Sequence, residues 1–299
     1  MSIYTDLTLI IVAYRSNKLI VKNLEILKKF RTIIVDNSNS DELSLIVNKY
    51  ENIKLIKCLK NLGYGKAANL GVSYANTNFL LTVNPDLILN ENAITNLYKT
   101  FLNDVNNIGI LAPSLFDHNM KNRCNGSISY LDKLRGKKTD KSINNVAVGN
   151  TCYKFLMGSC FLIKREFFNY LGGFDENFFM YFEDNDLCDR TLKTGKYIME
   201  VPSSKFIHLQ NSSSEQKFFT GTKLAIIHKI SSYLYLRKNT NSTFLIYQII
   251  KNIFDYFQRL IVNFLRFRFK NSYKNFLRLV SIFLYITSLY KIVYRYWKI

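Results

Sequence analysis

The chain of 299 residues is 48% hydrophobic and carries a formal net charge of +19. A chain of this length and apolar content can bury a large core, which indicates one sizeable domain with an appendage. Its five cysteines include no C-x-x-C pair. The composition therefore argues against a disulfide framework or a zinc site and favours reduced thiols in a cytoplasmic protein.

Short apolar runs alternate with amphipathic segments through the first 115 residues. The N-terminal stretch MSIYTDLTLIIVAYRS lacks the basic start of a signal peptide and is expected to hold the first buried strand. The runs are rich in Ile, Val and Leu and apolar on both faces, as buried parallel strands are. Strands that alternate with helices predict a doubly wound, mostly parallel sheet of the α/β class. The predicted strands are 7–14, 32–37, 53–58, 79–86 and 108–115, and the predicted helices are 17–29, 41–50, 64–76 and 91–102.

Polar residues follow three of the predicted strands, at 14–16, 36–38 and 84–86. Ligands of doubly wound sheets bind beyond the carboxyl ends of the strands, so these segments are expected to converge on one crevice. Asp86 is the sharpest candidate, because an acid at a strand end can hold a divalent metal against a diphosphate. The alternative is an ordinary Asn-Pro-Asp turn.

The segment NLGYGKAANLGVSYA, residues 61–75, opens a predicted helix with glycines. Gly63 and Gly65 would let the helix N-terminus approach a phosphate, and Lys66 would add positive charge. The segment matches neither a Walker loop nor the dinucleotide G-x-G-x-x-G pattern. A simple strand-to-helix turn is the alternative.

Four carboxylates crowd into FMYFEDNDLCDR, residues 179–190, of an otherwise basic chain. They are either the charged start of a helix, running from about Glu183 to Gly195, or part of a reaction centre. Asp186 and Asp189 each precede a basic residue by four positions, which is the spacing of helical ion pairs. These two acids are therefore assigned to structure.

The composition changes near residue 215. Before that point, residues 117–150 are polar and irregular and predict a loop or insertion, and 155–165 return as a strand. From Gly221 onward the chain has 14 Lys and Arg against one acid, Asp255, and 18 aromatic residues. This asymmetry indicates a separate role for the tail. The predicted domains are an α/β domain at 1–215 and a basic, aromatic helical extension at 216–299.

The charge-free runs of the tail reach only 12 residues, whereas a membrane-spanning helix needs about 20. Basic residues interleaved with Phe, Tyr and Trp at helical spacing are typical of helices that lie in the membrane interface. A helical subdomain or an oligomer face that buries these aromatics in protein is the alternative. Nucleic acid is not an expected partner, because no nucleic-acid-binding module accompanies the charge.

Taken together, the motifs resemble those of family 2 inverting glycosyltransferases, which have the nucleotide-diphospho-sugar transferase (GT-A) fold. The resemblance is strongest to the bacterial rhamnosyltransferase-like branch that builds O-antigens, capsules and related polymers, and it covers about residues 7–215. It rests on an ordered series: LTLIIVAYRS, IIVDNSNSD, NLGYGKAANLGV, LLTVNPDLIL, the stretch from MGSCFLIKR to CDRTLKTG, and VPSSKFIHLQNSSS.

The resemblance implies a nucleotide-sugar site at the strand ends. Asp36 would bind the base, and Asn84-Pro85-Asp86 takes the place of the family's D-x-D motif, with Asn84 instead of its first acid. A neutral residue at that position suits a deoxyribose donor such as a dTDP-sugar, which is a hypothesis. The remaining implied contacts are Ala13, Tyr14 and Arg15 along the base and ribose, and Asn61, Gly63, Lys66 and Asn69 over the nucleotide and diphosphate.

The resemblance also implies the catalytic and metal-binding residues. Asp184 matches the catalytic base, which in an inverting transfer deprotonates the acceptor hydroxyl. Asp86 and His208 match a site for Mg²⁺ or Mn²⁺, which would neutralise charge on the leaving diphosphate. A hydrogen-bonded structural histidine is the alternative for His208. The implied acceptor-side residues are Gly158, Ser159 and Glu183, and a packing glycine is the alternative for Gly158.

The expected function is an inverting, metal-dependent transfer of a sugar to a lipid-linked saccharide in bacterial surface polysaccharide synthesis. L-rhamnose from dTDP-rhamnose is the favoured donor group. The enzyme is expected to be cytoplasmic and peripheral on the inner face of the cytoplasmic membrane, held there by residues 216–299, with an oligomer possible. The alternatives are the same fold with a UDP-sugar (N-acetylglucosamine, glucose, galactose or galactofuranose), or a non-catalytic membrane-bound scaffold.

Overall fold

Two compact units make up the chain. One contains residues 1–176 and 183–215, and the other contains residues 177–182 and 216–299. The segment 177–182 belongs with the C-terminal helices because its aromatic side chains pack there, for example Phe179 against Ile227. The predicted domain 1–215 includes this segment. The computed structural model describes residues 2–38, 41–123, 125–137, 149–209 and 218–296.

The first unit alternates strands with helices, as the hydrophobic pattern predicts. Its strands are β1 Leu7–Ala13, β2 Arg31–Asp36, β3 Ile53–Lys57, β4 Phe79–Val83, β5 Leu87–Ile88, β6 Ile108–Phe116, β7 Asn122–Arg123, β8 Gly126–Ser127, β9 Thr151–Tyr153, β10 Phe155–Leu156, β11 Cys160–Lys164 and β12 Tyr197–His208. Its helices are α1 Ile3–Asp6, α2 Asn17–Leu27, α3 Glu42–Val47, α4 Tyr64–Ser73, α5 Glu91–Asn103, α6 Tyr130–Leu134, α7 Arg165–Tyr170 and α8 Glu183–Lys193.

Ten of the described strands form one sheet in the order β3-β2-β1-β4-β11-β6-β12-β5, with β7 on β6 and β9 on β12. The strands β3, β2, β1 and β4 are parallel to one another, and β11 runs antiparallel to β4. The order reverses beside β1, since β2 lies on one side of it and β4 on the other. The predicted doubly wound, mostly parallel sheet is confirmed, and the carboxyl ends of β1, β2 and β4 share one edge.

The sheet is buried on both faces. Alternate residues of β1 enter two different core clusters: Leu9 and Ile11 pack with α2 and α5, whereas Ile10 and Val12 pack with α4 and α7. Successive side chains of a strand point to opposite faces. A strand covered on both faces must therefore be apolar throughout, which explains the unbroken run that begins the sequence.

Two predicted strands end or break at functional segments. β4 ends at Val83, because Pro85 cannot donate to the ladder and the N–H of Leu87 closes a turn onto the carbonyl of Asn84 (3.2 Å). The strand predicted at 155–165 is divided into β10 and β11 by residues 157–159. The loop predicted at 117–150 contains β7, β8 and α6, and residues 124 and 138–148 of it lie outside the described residues.

The second unit consists of helices, as the spacing of apolar residues in the tail predicts. Within it, α11 packs against both α9 and α10. The side chain of Asn241 caps α10 by accepting from the N–H of Phe244 (2.9 Å). None of the helices in the described ranges combines the length and hydropathy that a bilayer-crossing segment requires. The helices are α9 Phe218–Asn239, α10 Ser242–Leu265, α11 Phe269–Ile286 and α12 Tyr290–Tyr296.

Candidate active site

Polar segments meet at the carboxyl edge of the parallel strands. The N–H of Asn37 donates to the carbonyl of Ala13 at 2.8 Å, which joins the ends of β2 and β1. The N–H of Asn84 donates to the carbonyl of Ser159, also at 2.8 Å, which joins the end of β4 to the start of β11. The three polar segments predicted to converge therefore lie along one edge, together with Gly158 and Ser159.

Asp86 and His208 are brought side by side by strand pairing. β5 pairs with β12 so that Leu87 faces His208, and the N–H of Leu209 donates to the carbonyl of Asp86 (2.9 Å). The Oδ1 atom of Asp86 lies 3.4 Å from Nε2 of His208, and both side chains are buried. Two residues far apart in the sequence thus form one polar pair inside the edge of the sheet.

This pair fits a divalent cation by its chemistry. Asp86 Oδ1 and His208 Nδ1 are both buried without a hydrogen-bond partner among the described residues. A carboxylate oxygen and a neutral imidazole nitrogen suit Mg²⁺ or Mn²⁺, and Nε2 is the nitrogen of His208 that faces Asp86. No group of three His, Cys, Asp or Glu within the described ranges is arranged to hold a metal. The protein would therefore supply two ligands, leaving the remaining positions to phosphate oxygens or water.

Asp184 is fixed at the first turn of α8 by hydrogen bonds to both carboxylate oxygens. Its Oδ2 accepts from the N–H of Gly158 (3.1 Å), and its Oδ1 accepts from the backbone N–H (2.8 Å) and side-chain amide (3.1 Å) of Asn185. A Cβ atom on Gly158 would lie 2.6 Å from Cβ of Asp184. Gly158, predicted on the acceptor side, therefore contacts and positions the Asp184 carboxylate, because any larger residue would clash with Asp184.

Glu183 and Asp184 are adjacent carboxyl groups whose pKa values are both raised, chiefly by burial. The charge of Asp184 raises the pKa of Glu183 further, whereas the hydrogen bonds from Gly158 and Asn185 favour the ionised form of Asp184. Glu183 is buried, and its Oε2 has no hydrogen-bond partner in the described part of the chain. Burial therefore disfavours the charged form of both carboxyl groups, and the hydrogen bonds to Asp184 offset part of that effect.

The loop before α4 is held by an asparagine that the sequence analysis did not single out. The amide of Asn37 donates to Oδ1 of Asn61 (2.8 Å) and to the carbonyl of Gly63 (3.2 Å), and its Oδ1 accepts from the N–H of Leu62 (2.8 Å). The carbonyl oxygen of the Asn61 side chain also accepts from the N–H of Gly63 (2.9 Å). Asn61 thus shapes the loop, and its predicted nucleotide contact stays a prediction. The sequence signal for Asn37 is its position directly after Asp36, at the end of a predicted strand.

The first turns of α4 combine a conformational requirement with two polar side chains. Gly63 has φ +81°, which favours glycine. The amide of Asn69 is engaged within the protein, since it donates to the carbonyl of Phe174 (2.8 Å) and accepts from the N–H of Phe174 (2.9 Å). Lys66 pairs with Glu176 at 2.8 Å, and both side chains are about half exposed. The predicted contacts of Lys66 and Asn69 with a nucleotide stay predictions, and Asn69 also joins α4 to the backbone of Phe174.

The predicted base and ribose contacts differ in what they can offer. Ala13 is 1% exposed, so its side chain belongs to the core. Tyr14 is half-buried and Arg15 is exposed, with its guanidinium 5.3 Å from the centre of the Tyr14 ring. Arg15 has φ +52°, an uncommon conformation for a non-glycine residue that is found at functional loops. Asp36 is buried, and its Oδ1 accepts from the N–H (2.9 Å) and hydroxyl (2.5 Å) of Ser38.

Asn23, which was not predicted as a site residue, positions strand β5 beside Asp86. Asn23 on α2 is 4% exposed. Its amide donates to the carbonyl of Leu87 (2.6 Å), and its Oδ1 accepts from the N–H of Leu89 (2.8 Å). These bonds hold β5, which directly follows Asp86. The available signal was a polar residue within the apolar stripe of a predicted helix.

Comparison with known proteins agrees with this geometry. Fold and site define the chain as a sugar transferase of the GT-A class. It matches the model of Glycosyl transferase family 2 over residues 8–172, and it belongs to this family. It is 30% identical over 221 residues to the low-salt glycan biosynthesis hexosyltransferase Agl10 of Haloferax volcanii, covering 69% of this chain and 67% of that protein. It is 27% identical over 236 residues to the N-acetylglucosaminyl-diphospho-decaprenol L-rhamnosyltransferase of Mycobacterium tuberculosis, covering 68% of this chain and 73% of that protein.

A solved structure shares the fold. The mannosyltransferase PcManGT from Pyrobaculum calidifontis, in complex with GDP-Man and Mn²⁺, superposes with a TM-score of 0.54 at 14% sequence identity. The superposition covers 78% of this chain and 63% of that one. The predicted GT-A fold is thereby confirmed, and the predicted resemblance to rhamnosyltransferases is confirmed by the Mycobacterium tuberculosis relative.

Proposed function

We propose that this glycosyltransferase moves a sugar from a nucleotide diphosphate to a saccharide acceptor with inversion at the anomeric carbon, and that Asp184 is its general base. The observation that carries the proposal is the Asp184 carboxylate, held by Gly158 and Asn185 beside the sheet edge that carries Asp86. A base raised in pKa by burial accepts a proton more readily than an exposed aspartate.

The chemistry requires one proton transfer and one departing group. Asp184 would take the proton of the acceptor hydroxyl as the hydroxyl oxygen attacks the anomeric carbon. The bond from that carbon to the nucleoside diphosphate breaks on the opposite face. Asp86 and His208 would hold Mg²⁺ or Mn²⁺, which supplies charge neutralisation at the leaving diphosphate. The Mn²⁺ in the complex of PcManGT supports a divalent metal. Lys66 would exchange its partner Glu176 for a phosphate oxygen.

The favoured donor is dTDP-L-rhamnose, and the favoured acceptor is a lipid-linked saccharide. Support for the donor comes from the L-rhamnosyltransferase relative and from Asn84, which replaces an acid with a neutral side chain. Support for the acceptor comes from the same relative, which is named for a diphospho-decaprenol. The basic, aromatic tail supports a place at the inner face of the cytoplasmic membrane, where such an acceptor would lie.

A donor screen tests the proposal. The purified full chain is supplied with a lipid-linked saccharide acceptor, Mn²⁺ or Mg²⁺, and dTDP-rhamnose or a UDP-sugar, and release of nucleoside diphosphate is measured. We expect turnover with dTDP-rhamnose, and a loss of about 100- to 10,000-fold in Asp184→Asn with donor binding retained. Asp189→Asn, on the same helix, is the matched control and should keep the parent rate. Near-parent turnover by Asp184→Asn would show that another group is the base.

A UDP-hexose is the second candidate donor, because the chain is 30% identical to a hexosyltransferase. The same screen separates the two, since turnover with UDP-glucose, UDP-galactose, UDP-galactofuranose or UDP-N-acetylglucosamine in place of dTDP-rhamnose would identify it. Calorimetry with each nucleotide adds an independent readout. If no nucleotide binds with or without Mn²⁺, a non-catalytic scaffold would replace both proposals.

A further inference from the structure

Helix α10 buries polar side chains and exposes a stripe of apolar ones. The side chains that it buries include Gln248 and Tyr256, which are 4% and 8% exposed. Asn252, on the same side, donates to the hydroxyl of Tyr233 (3.1 Å). Its exposed face is apolar and continuous, with residues at intervals of three or four positions that place them on one stripe. These exposed residues are Ile246, Ile250, Phe254, Phe257, Ile261 and Phe264.

Helix α11 repeats the arrangement. Its buried residues are half polar, and the hydroxyl of Ser272 donates to the carbonyl of Leu260 in α10 (3.0 Å). They are Ser272, Asn275 and Ser281 together with Leu277, Ile282 and Tyr285. Its exposed stripe follows the intervals i, i+4, i+7 and i+14 and consists of Phe269, Tyr273, Phe276 and Phe283. Exposed apolar residues scattered singly are ordinary, but two continuous stripes on packed neighbouring helices mark a surface that another apolar phase covers.

The turn between the two helices points the same way. Phe267 is 80% exposed and has φ +54°, so a bulky aromatic residue is held in a conformation that disfavours it. The ring centres of Phe267 and Phe264 lie 6.1 and 5.7 Å from that of Phe269, so these aromatic side chains cluster at the tip. Exposed basic residues alternate with them in the order Arg266, Phe267, Arg268, Phe269, Lys270.

The positive charge of this region distinguishes between a lipid bilayer and a second protein copy as the partner of the exposed apolar surface. The tail beyond residue 221 contains 14 basic residues and a single acid, Asp255. Asp255 is paired with Arg259 on its own helix (2.9 Å). A second copy of the chain would bring like charges together along the whole face, whereas an anionic bilayer offers both an apolar interior and negative headgroups. Charge complementarity therefore favours lipid over self-association.

We propose that the α10–α11 hairpin, residues 242–286, lies in the surface of an anionic phospholipid bilayer with its tip, Phe264 to Lys270, inserted among the acyl chains. This deepens the proposed membrane role by naming the element, its lipid-facing stripe and the lipid class. It is independent of the transfer chemistry. Helix α9 is not part of the proposed lipid-facing surface, because Ile227 packs against Phe179 and the ring centres of Tyr233 and Tyr285 lie 5.3 Å apart.

Vesicle flotation with the full chain tests the stripe. We expect binding to phosphatidylcholine vesicles that contain phosphatidylglycerol, weak binding to pure phosphatidylcholine vesicles, and loss of binding as salt rises. The triple variant Phe254→Ser, Phe257→Ser, Phe264→Ser should bind on the order of 100-fold more weakly. The control Leu45→Ser, Tyr170→Ser removes exposed apolar side chains from the other unit and should bind like the parent. Equal binding by the triple variant would overturn the proposal.

A fluorescent reporter tests the tip. The single tryptophan, Trp297, is replaced by Phe, and Phe267→Trp is introduced into this background. We expect a blue shift on adding the anionic vesicles and quenching by brominated acyl chains, neither of which Tyr170→Trp should show. An unshifted signal would overturn insertion. Light scattering of the lipid-free protein covers the remaining occupant: a dimer that the triple variant converts to a monomer would assign the stripe to a second copy and overturn the lipid assignment.

These readouts are independent of catalysis. A chain that binds vesicles but turns over no donor would contradict the proposed function and leave the hairpin proposal intact. A chain that turns over donor and ignores vesicles would do the reverse.

Discussion

The α/β unit and the α10–α11 hairpin use the same kinds of residue in opposite ways. In α5 the buried positions are apolar (Ala93, Ile94, Leu97 and Phe101 among them). In α10 the buried positions include Gln248, while Phe254 is 72% exposed. An amphipathic helix therefore does not reveal by its pattern alone which face is inward. The neighbours decide this, because burial depends on what the rest of the chain places against each face.

The largest expected effect separates two phenylalanines. Phe101 is fully buried and contacts Phe79 with ring centres 5.2 Å apart, so Phe101→Ala should lower the free energy of unfolding by about 3–5 kcal/mol. Phe254→Ala should change it by less than about 0.5 kcal/mol, because the ring is already exposed. Chemical denaturation followed by circular dichroism measures both. Similar losses of unfolding free energy at the two positions would contradict the exposed placement of Phe254 on α10.

The next effect concerns catalysis. Gly158→Ala places a methyl group 2.6 Å from Cβ of Asp184 and should displace the base, lowering kcat about 100-fold while donor binding is kept. Gly149→Ala is the matched control, since its added Cβ would meet nothing within 4 Å. Steady-state kinetics with the donor found in the screen measures both. An unaffected kcat in Gly158→Ala would separate this glycine from the base.

The third prediction concerns Asn23, a buried polar residue of the α/β unit whose hydrogen bonds hold β5. Asn23→Ala would leave the carbonyl of Leu87 and the N–H of Leu89 without their partner, which should cost about 1–3 kcal/mol of unfolding free energy. It should also weaken Mn²⁺-dependent nucleotide binding, because β5 positions Asp86. Thermal unfolding and calorimetry measure the two effects. Asn103→Ala, exposed at the end of α5, should leave both near the parent values.

The smallest expected effect is a pH dependence of stability. Burial and the charge of Asp184 raise the pKa of Glu183 above its ordinary 4.5. The folded state then binds more protons than the unfolded state, so this group makes stability fall as pH rises through the window above 4.5. Glu183→Gln should remove that decline and gain melting temperature relative to the parent, more at pH 8 than at pH 5. Glu166→Gln, at an exposed position, should follow the parent at both pH values.

Much of the α/β unit could be predicted because its signals are local. The apolar runs placed β1, β2 and β3 to within a residue at either end, since a strand buried on both faces must be apolar throughout. The start of α8 at Glu183 was likewise predicted from its acidic first turn. Assigning polar contacts was harder. Asn61 and Asn69 carry the right groups for a nucleotide, but Asn37 and the backbone of Phe174 engage them in the folded protein.

Neighbouring residues and their order are enough to predict most strands and helices of the α/β unit, the family resemblance and the candidate acidic and basic residues. Three other features follow from the tertiary structure. It placed Asp86 against His208 through the pairing of β5 with β12, it set Gly158 against Asp184, and it turned the aromatic stripe of α10 outward. Each depends on contacts between segments distant in the chain, and a local pattern of residue types carries no information about which distant segment will cover it.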